Sequence, residues 1–167
     1  MPLIEYNPTQ LKKLARKFDH VYLDFDFTLF KADSEIFTLN LLTETTLISP
    51  RYQLKRMQKI RLRNESYRAR FLEDNVSNFQ PIEFVENFFD PDLLEFVRVT
   101  PNCVILSLGV EVVIKYYLEQ VGVTNKIIGR SAIKDVNKRD FASKNDAIIS
   151  DNINDFKGTW GQTILYV

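Results

Sequence analysis

The chain has a single cysteine, Cys103, in 167 residues, so it can close no disulfide within itself and build no multi-cysteine zinc site. Five glycines and six prolines are scattered, leaving no Gly- or Pro-rich linker, and no segment repeats another. An excess of one charge is also missing, because 22 Lys and Arg offset 22 Asp and Glu. That balance argues against a general nucleic-acid coat or a polybasic membrane-surface protein, while leaving room for local patches. The longest apolar stretch, around Cys103–Val110, is far short of the ~18 residues that span a bilayer, and Met1–Gln10 has no apolar signal core. The expectation is a soluble, cytoplasmic, single-domain protein, with space for a small insertion and enough core to fold without a staple.

What is present is an alternation of two periodicities. Leu11, Leu14, Ala15 and Phe18 share one helical face, behind Asn7 as N-cap and Pro8 at the first helical position. Val21–Phe25 is a short apolar run ending in acids, which reads as a buried strand. Cys103–Ser107 is a second, followed after Gly109 by an amphipathic helix that stops at Gly122. Further strands are expected at Lys126–Ile128, Ala147–Ile149 and Thr163–Val167. Apolar strands alternating with helices, without hairpin turns, predict an α/β protein with a parallel sheet. Residues 31–98 break the rhythm and read as a helical insertion: one helix within Pro50–Glu73, one starting near Pro81, and a third at Asp90-Pro91.

The chemistry concentrates where strands end. Asp24 and Asp26 follow the first strand; two apart in extended chain, they face the same side. The fourth strand ends in Ser150-Asp151, with Asn154 and Asp155 close behind, and the second in Ser107 before Gly109 and a helix N-terminus. Parallel sheets bind ligands at the carboxyl ends of their strands. A hydroxyl, backbone N–H groups and a helix dipole together make a phosphate cradle. Two carboxylates about 4 Å apart repel by ~4 kcal/mol at an effective dielectric of ~20, so the acids call for a cation. All-oxygen ligands completed by a substrate phosphate suit Mg²⁺ better than zinc.

Asp24-Phe25-Asp26-Phe27-Thr28-Leu29 resembles the Asp-x-Asp-x-Thr/Val signature of the haloacid dehalogenase-like superfamily, most of whose members are phosphohydrolases. Ser107 is similar to its second motif, and Asp151 with Asp155 to its fourth. The resemblance implies a Rossmann-like, mainly parallel five-stranded sheet of order 5-4-1-2-3. The catalytic core would be 1–30 and 99–167, and 31–98 a small helical cap that selects substrate. It implies Asp24 as nucleophile, forming an aspartyl-phosphate, and Asp26 as general acid and base. Mg²⁺ would be held by Asp24, Asp26 and Asp151, with Asp155 acting at a distance or through water. Thr28, Ser107 and Asn154 would serve the phosphoryl group or its waters. Two positions depart from the common pattern: Phe27 stands where many members have Gly, and Ser150 where Gly or Asp is common. Asp26 weighs against dehalogenation itself, because the family's dehalogenases lack that second acid.

The family also needs a lysine. Lys144 starts the fourth strand, about 20 Å from its tip at ~3.3 Å per residue, and is set aside. Lys134 and Lys138 fall on an expected helix after the third strand, and Lys134 is preferred as about one turn, ~6 Å, nearer the site. Between Ser49 and Asn75 the insertion carries eight basic residues (Arg51, Lys55, Arg56, Lys59, Arg61, Arg63, Arg68, Arg70) against three acids. A solvated helix face accounts for them better than a nucleic-acid end does. Phe84, Val85, Phe88 and Phe89 read as the core of the insertion, and Phe27, Phe30 and Phe37 as the lining of an entrance.

The expected function is Mg²⁺-dependent hydrolysis of a small phosphomonoester, with nucleotides among the candidate substrates. Phosphoryl transfer to another acceptor would use the same residues. A phosphate- or metal-binding module that no longer turns over is the rival from another class, and a phosphoacceptor signalling domain ranks last.

Overall fold

The computed structural model describes residues 8–45, 65–78 and 83–166. Five strands form one sheet: β1 (His20–Leu23), β2 (Cys103–Val110), β3 (Ile127–Arg130), β4 (Asp146–Ser150) and β5 (Gln162–Leu165). All four pairings are parallel. From one edge the order is β3-β2-β1-β4-β5; from the other the same sheet reads 5-4-1-2-3. β1 therefore lies between β2 and β4, and the three strands whose ends carry the candidate residues are neighbours.

Side-chain alternation sorts the apolar runs onto two faces. Val21, Leu23, Cys103, Ile105, Ala147 and Ile149 enter the larger core. Tyr22, Val104, Leu106, Ile128 and Ile148 form a second, smaller one. Both faces are covered, which is why β4 is buried along its whole length and its middle, Ala147–Ile149, reads as an apolar run.

The larger face is covered by helices α1 (Pro8–Ala15), α4 (Pro91–Arg98) and α5 (Glu111–Gln120), with α2 (Ser34–Thr45) and α3 (Glu65–Asn75) contributed by the insertion. Asp90 caps α4 as its sequence predicts, its carboxylate accepting from the Leu93 N–H at 2.9 Å ahead of Pro91. α4, assigned above to the insertion, packs along α1 and so shares the layer over the sheet. α2 has no counterpart in the sequence expectation. It starts at Asp33, whose carboxylate accepts from the Ile36 N–H at 3.1 Å. α5 ends before Gly122, which takes the left-handed conformation at φ 71°.

Among the described residues, no α-helix covers the smaller face. A helix was expected between β3 and β4, but residues 131–137 run through a turn closed between Ser131 and Lys134. A short 3₁₀ turn, Lys138–Phe141, follows, capped by the Asn137 side chain. This face is completed by aromatic packing, with Tyr22 5.8 Å from Phe141 and 5.7 Å from Trp160 between ring centroids.

The phenylalanines divide differently from their expected roles. Phe84 is exposed and left-handed at φ 59°, whereas Val85 and Phe89 are buried, because the segment is a single 3₁₀ turn rather than a helix. Phe30 and Phe37 belong to the core, Phe30 lying 5.1 Å from Tyr117 and 5.3 Å from Phe89. Only Phe27 of the three expected at an entrance is exposed. The expected N-cap Asn7, the part of the Pro50–Glu73 helix before Glu65, the start at Pro81, and Arg51, Lys55, Arg56, Lys59, Arg61 and Arg63 lie outside the described residues. Among the described residues no helix is long and apolar enough to cross a membrane.

Candidate active site

The loop after β1 is held from below by its own aromatic residues. Phe25 and Phe30 are fully buried and stacked 5.2 Å apart, and the Phe30 N–H donates to the Phe25 carbonyl at 2.9 Å. With these rings turned into the core, Asp24, Asp26 and Thr28 are left at the sheet edge. The Asp24 N–H still pairs with the Ile149 carbonyl at 2.9 Å, so the nucleophile candidate sits on the last rung of the β1–β4 ladder. Phe27 bridges Asp26 and Thr28 in the left-handed region at φ 60°, a conformation that favours glycine and costs a side-chain-bearing residue about 1 kcal/mol.

Asp24 is the hub. Its Oδ1 accepts from the Lys138 ammonium at 2.7 Å, and its Oδ2 from the Thr28 hydroxyl at 3.1 Å and the Ser150 hydroxyl at 3.4 Å. Thr28 also lies 2.9 Å from Asp151 Oδ1 and accepts from the Asp151 N–H at 3.0 Å. One hydroxyl hydrogen therefore serves two carboxylates. Lys138 bonds Asp155 Oδ2 at 2.7 Å as well, and Ser150 donates to that same oxygen at 2.6 Å. Lys138 is buried, and both its acidic partners are close to fully covered.

Asp26 stands apart from this cluster. Its Oδ1 accepts from the Ser34 N–H at 2.9 Å, at the start of α2. Its Oδ2 faces Gly109, where a Cβ would come within 3.1 Å of it and 3.2 Å of Ser107 Oγ. A side chain at that position would crowd the space between the β1 and β2 strand ends. Ser107 is buried, and its hydroxyl accepts from the Gly109 N–H at 3.0 Å.

Burial pushes the Asp24 carboxyl up to about 6 against the pull of Lys138, with Asp155 and Asp151 adding to the rise. Burial pushes Asp26 up to about 7; Ser34 opposes this, and Asp33 and Asp24 reinforce it. Both carboxyls therefore hold protons more tightly in the folded chain than in the unfolded one. Stability from this source is full below the unfolded value of 3.8 and is lost as pH rises through about 6 to 7. In metal-free buffer the unfolding free energy is expected to be greater at about pH 5 than at about pH 8, by on the order of a few kcal/mol, with a correspondingly higher melting temperature. Thermal denaturation in EDTA across that range checks it; a melting temperature that rises with pH would contradict it.

The lysine preference requires correction. Lys134 is exposed, in the turn after β3. Without a helix to order the segment by turns, the 3₁₀ turn at Asn137–Phe141 brings Lys138 under Asp24 instead. Asn154 is also exposed; its N–H is capped by Asn152 Oδ1 at 3.0 Å, while Asp155 is held by Lys138 and Ser150. The sequence marks Ser150 only as a departure from the fourth motif; the further sign it offers is a hydroxyl directly after the apolar run Ala147–Ile149.

As for a cation, the described residues contain no ready-made group of three His, Cys, Asp or Glu ligands. They do offer two carboxylates, Asp24 and Asp151, joined through one threonine hydroxyl. Asp24 has its pKa raised by burial despite a lysine at contact distance. An all-oxygen pair of this kind matches Mg²⁺, which binds through one or two carboxylates with water and phosphate rather than in a protein cage. Compared with models of known protein families and with curated proteins, the chain matches none.

Proposed function

We propose that this chain is a Mg²⁺-dependent phosphomonoesterase of the haloacid dehalogenase-like type, working through an aspartyl-phosphate on Asp24. The observation that carries the reading is the Asp24 carboxylate at the end of the central strand, with the buried Lys138 ammonium on one oxygen and the Thr28 and Ser150 hydroxyls on the other. A structural ion pair would explain the lysine alone. It would not explain a second, half-buried acid two residues on, held by a backbone N–H and turned toward Gly109.

In the first half-reaction an Asp24 oxygen attacks phosphorus, the ester P–O bond breaks, and the departing oxygen takes the Asp26 proton. In the second, water attacks the same phosphorus while Asp26 removes its proton, the Asp24–phosphorus bond breaks, and inorganic phosphate leaves. Lys138 offsets the negative charge of nucleophile and phosphoryl group together. Asp155, itself held by Ser150, positions that lysine, and Thr28 and Ser107 would bind the transferring phosphoryl group. The metal would be held by Asp24 and Asp151 with the backbone at Asp26, and when bound it supplies positive charge to the phosphate.

The test is release of phosphate from an aryl phosphate by the purified chain. Turnover is expected with Mg²⁺ and none with EDTA. A folded protein that binds Mg²⁺ and turns over no phosphate ester would favour a non-catalytic phosphate- or metal-binding module instead.

A further inference from the structure

A cavity of about 380 Å³ opens on the Asp26 side of the site, walled by Asp26 and Gly109 toward the catalytic residues. Asp26 protonates the departing oxygen in the proposed reaction, so the leaving group must lie on this side of the phosphoryl group. The volume is near the small end of the range for small-molecule sites, ~300–1,000 Å³.

The far walls are polar. Glu35 of α2 is buried between two guanidiniums, Arg68 of α3 at 2.6 Å and Arg130 at the end of β3. The Arg130 Nε also donates to the Leu108 carbonyl at 3.2 Å. Asp33 and Asp135 complete this side, so that beyond the catalytic acid the walls hold three carboxylates against two guanidiniums. Glu35 pairs with both guanidiniums, and with Asp33 and Asp135 the described walls beyond Asp26 carry one more negative charge than positive. No aromatic side chain among the described residues lines the cavity.

On the reading above, we infer that the substrate's leaving group is a small, uncharged, hydroxyl-rich group, of the sugar or polyol class, and not one with a second phosphate. Carboxylates accept from hydroxyls and guanidiniums donate to them, so these walls can bond a polyol from two directions. A second phosphate would add negative charge to described walls that are already net negative and whose two guanidiniums are engaged by Glu35, a repulsion of about tenfold in kcat/KM after salt screening.

The experiment compares kcat/KM for a hexose monophosphate, the corresponding hexose bisphosphate and an aryl phosphate, using the full chain with Mg²⁺. The monophosphate is expected to exceed the bisphosphate by about tenfold or more, and Asp135→Lys to narrow that ratio by about the same factor. Asp135 is exposed, so the substitution disturbs no packing. Hydrolysis of the aryl phosphate with no monophosphate preference, or a ratio that Asp135→Lys leaves unmoved, overturns the inference while the phosphohydrolase reading stands. No hydrolysis of any of the three overturns both.

Discussion

Asp24→Asn is expected to lower phosphate release by at least about 10⁴-fold without unfolding the protein, because the amide cannot form the acyl-phosphate bond while keeping nearly the same shape. The structural consequences are separable from the catalytic one. Lys138 keeps Asp155 at 2.7 Å, and the amide carbonyl can still accept from the ammonium. The substitution also removes a carboxyl whose burial holds its pKa at about 6. Melting temperature near pH 8 should therefore stay level or rise, and its dependence on pH in EDTA should flatten, leaving mainly the contribution of Asp26. Full turnover by this variant would remove Asp24 as nucleophile. A large loss of stability would mean that its carboxylate is structural.

Lys138→Ala should be costly in both respects, and Lys134→Ala in neither. Removing Lys138 leaves Asp24 and Asp155 facing each other in a buried site with no cation, a situation that costs about 3–5 kcal/mol. The loss should shrink toward about pH 5, where Asp24 can take up a proton and no longer needs a partner. Turnover should fall with it, since charge on the phosphoryl group would go uncompensated. Lys134 is exposed in a turn, and its removal should lie within about 0.5 kcal/mol of wild type with unchanged rate. Chemical denaturation and phosphate release, run on both variants, decide between the lysines. The reverse pattern would overturn the assignment made from geometry.

These two lysines mark the limit of what the sequence made legible. Asp24, Asp26, Thr28 and Asp151 could be found because each is tied to a strand end, and a strand end is visible as the place where an apolar run stops. The same runs foretold a parallel sheet, because burial on both faces erases the alternation of a half-exposed strand. Lys138 had no such marker. Its place depends on the path of residues 131–137, and that path is set by turn hydrogen bonds and by Tyr22, Phe141 and Trp160 packing on the smaller face, contacts remote in sequence. Phe84 misled for a related reason: its spacing from Phe88 fits a helix, but the segment makes one 3₁₀ turn and leaves the ring exposed. Glu35, Arg68 and Arg130 left no local trace, since three ordinary charged residues acquire meaning only when α2, α3 and the β3 end converge.

The adjacency of β1 and β4 has a consequence for how the protein comes into being on the ribosome. Asp24 is made early, but Lys138 follows it by 114 residues and Ser150 by 126. At about 5–20 residues per second, the carboxylate waits roughly 6–23 s for its ammonium. Over that interval the nascent chain holds Asp24 without its eventual counter-charge, in water rather than in a core. Phosphatase competence on the proposed reading would thus arrive in a single late step, when the fourth strand slots beside the first, and nascent chains stalled before that point should have none.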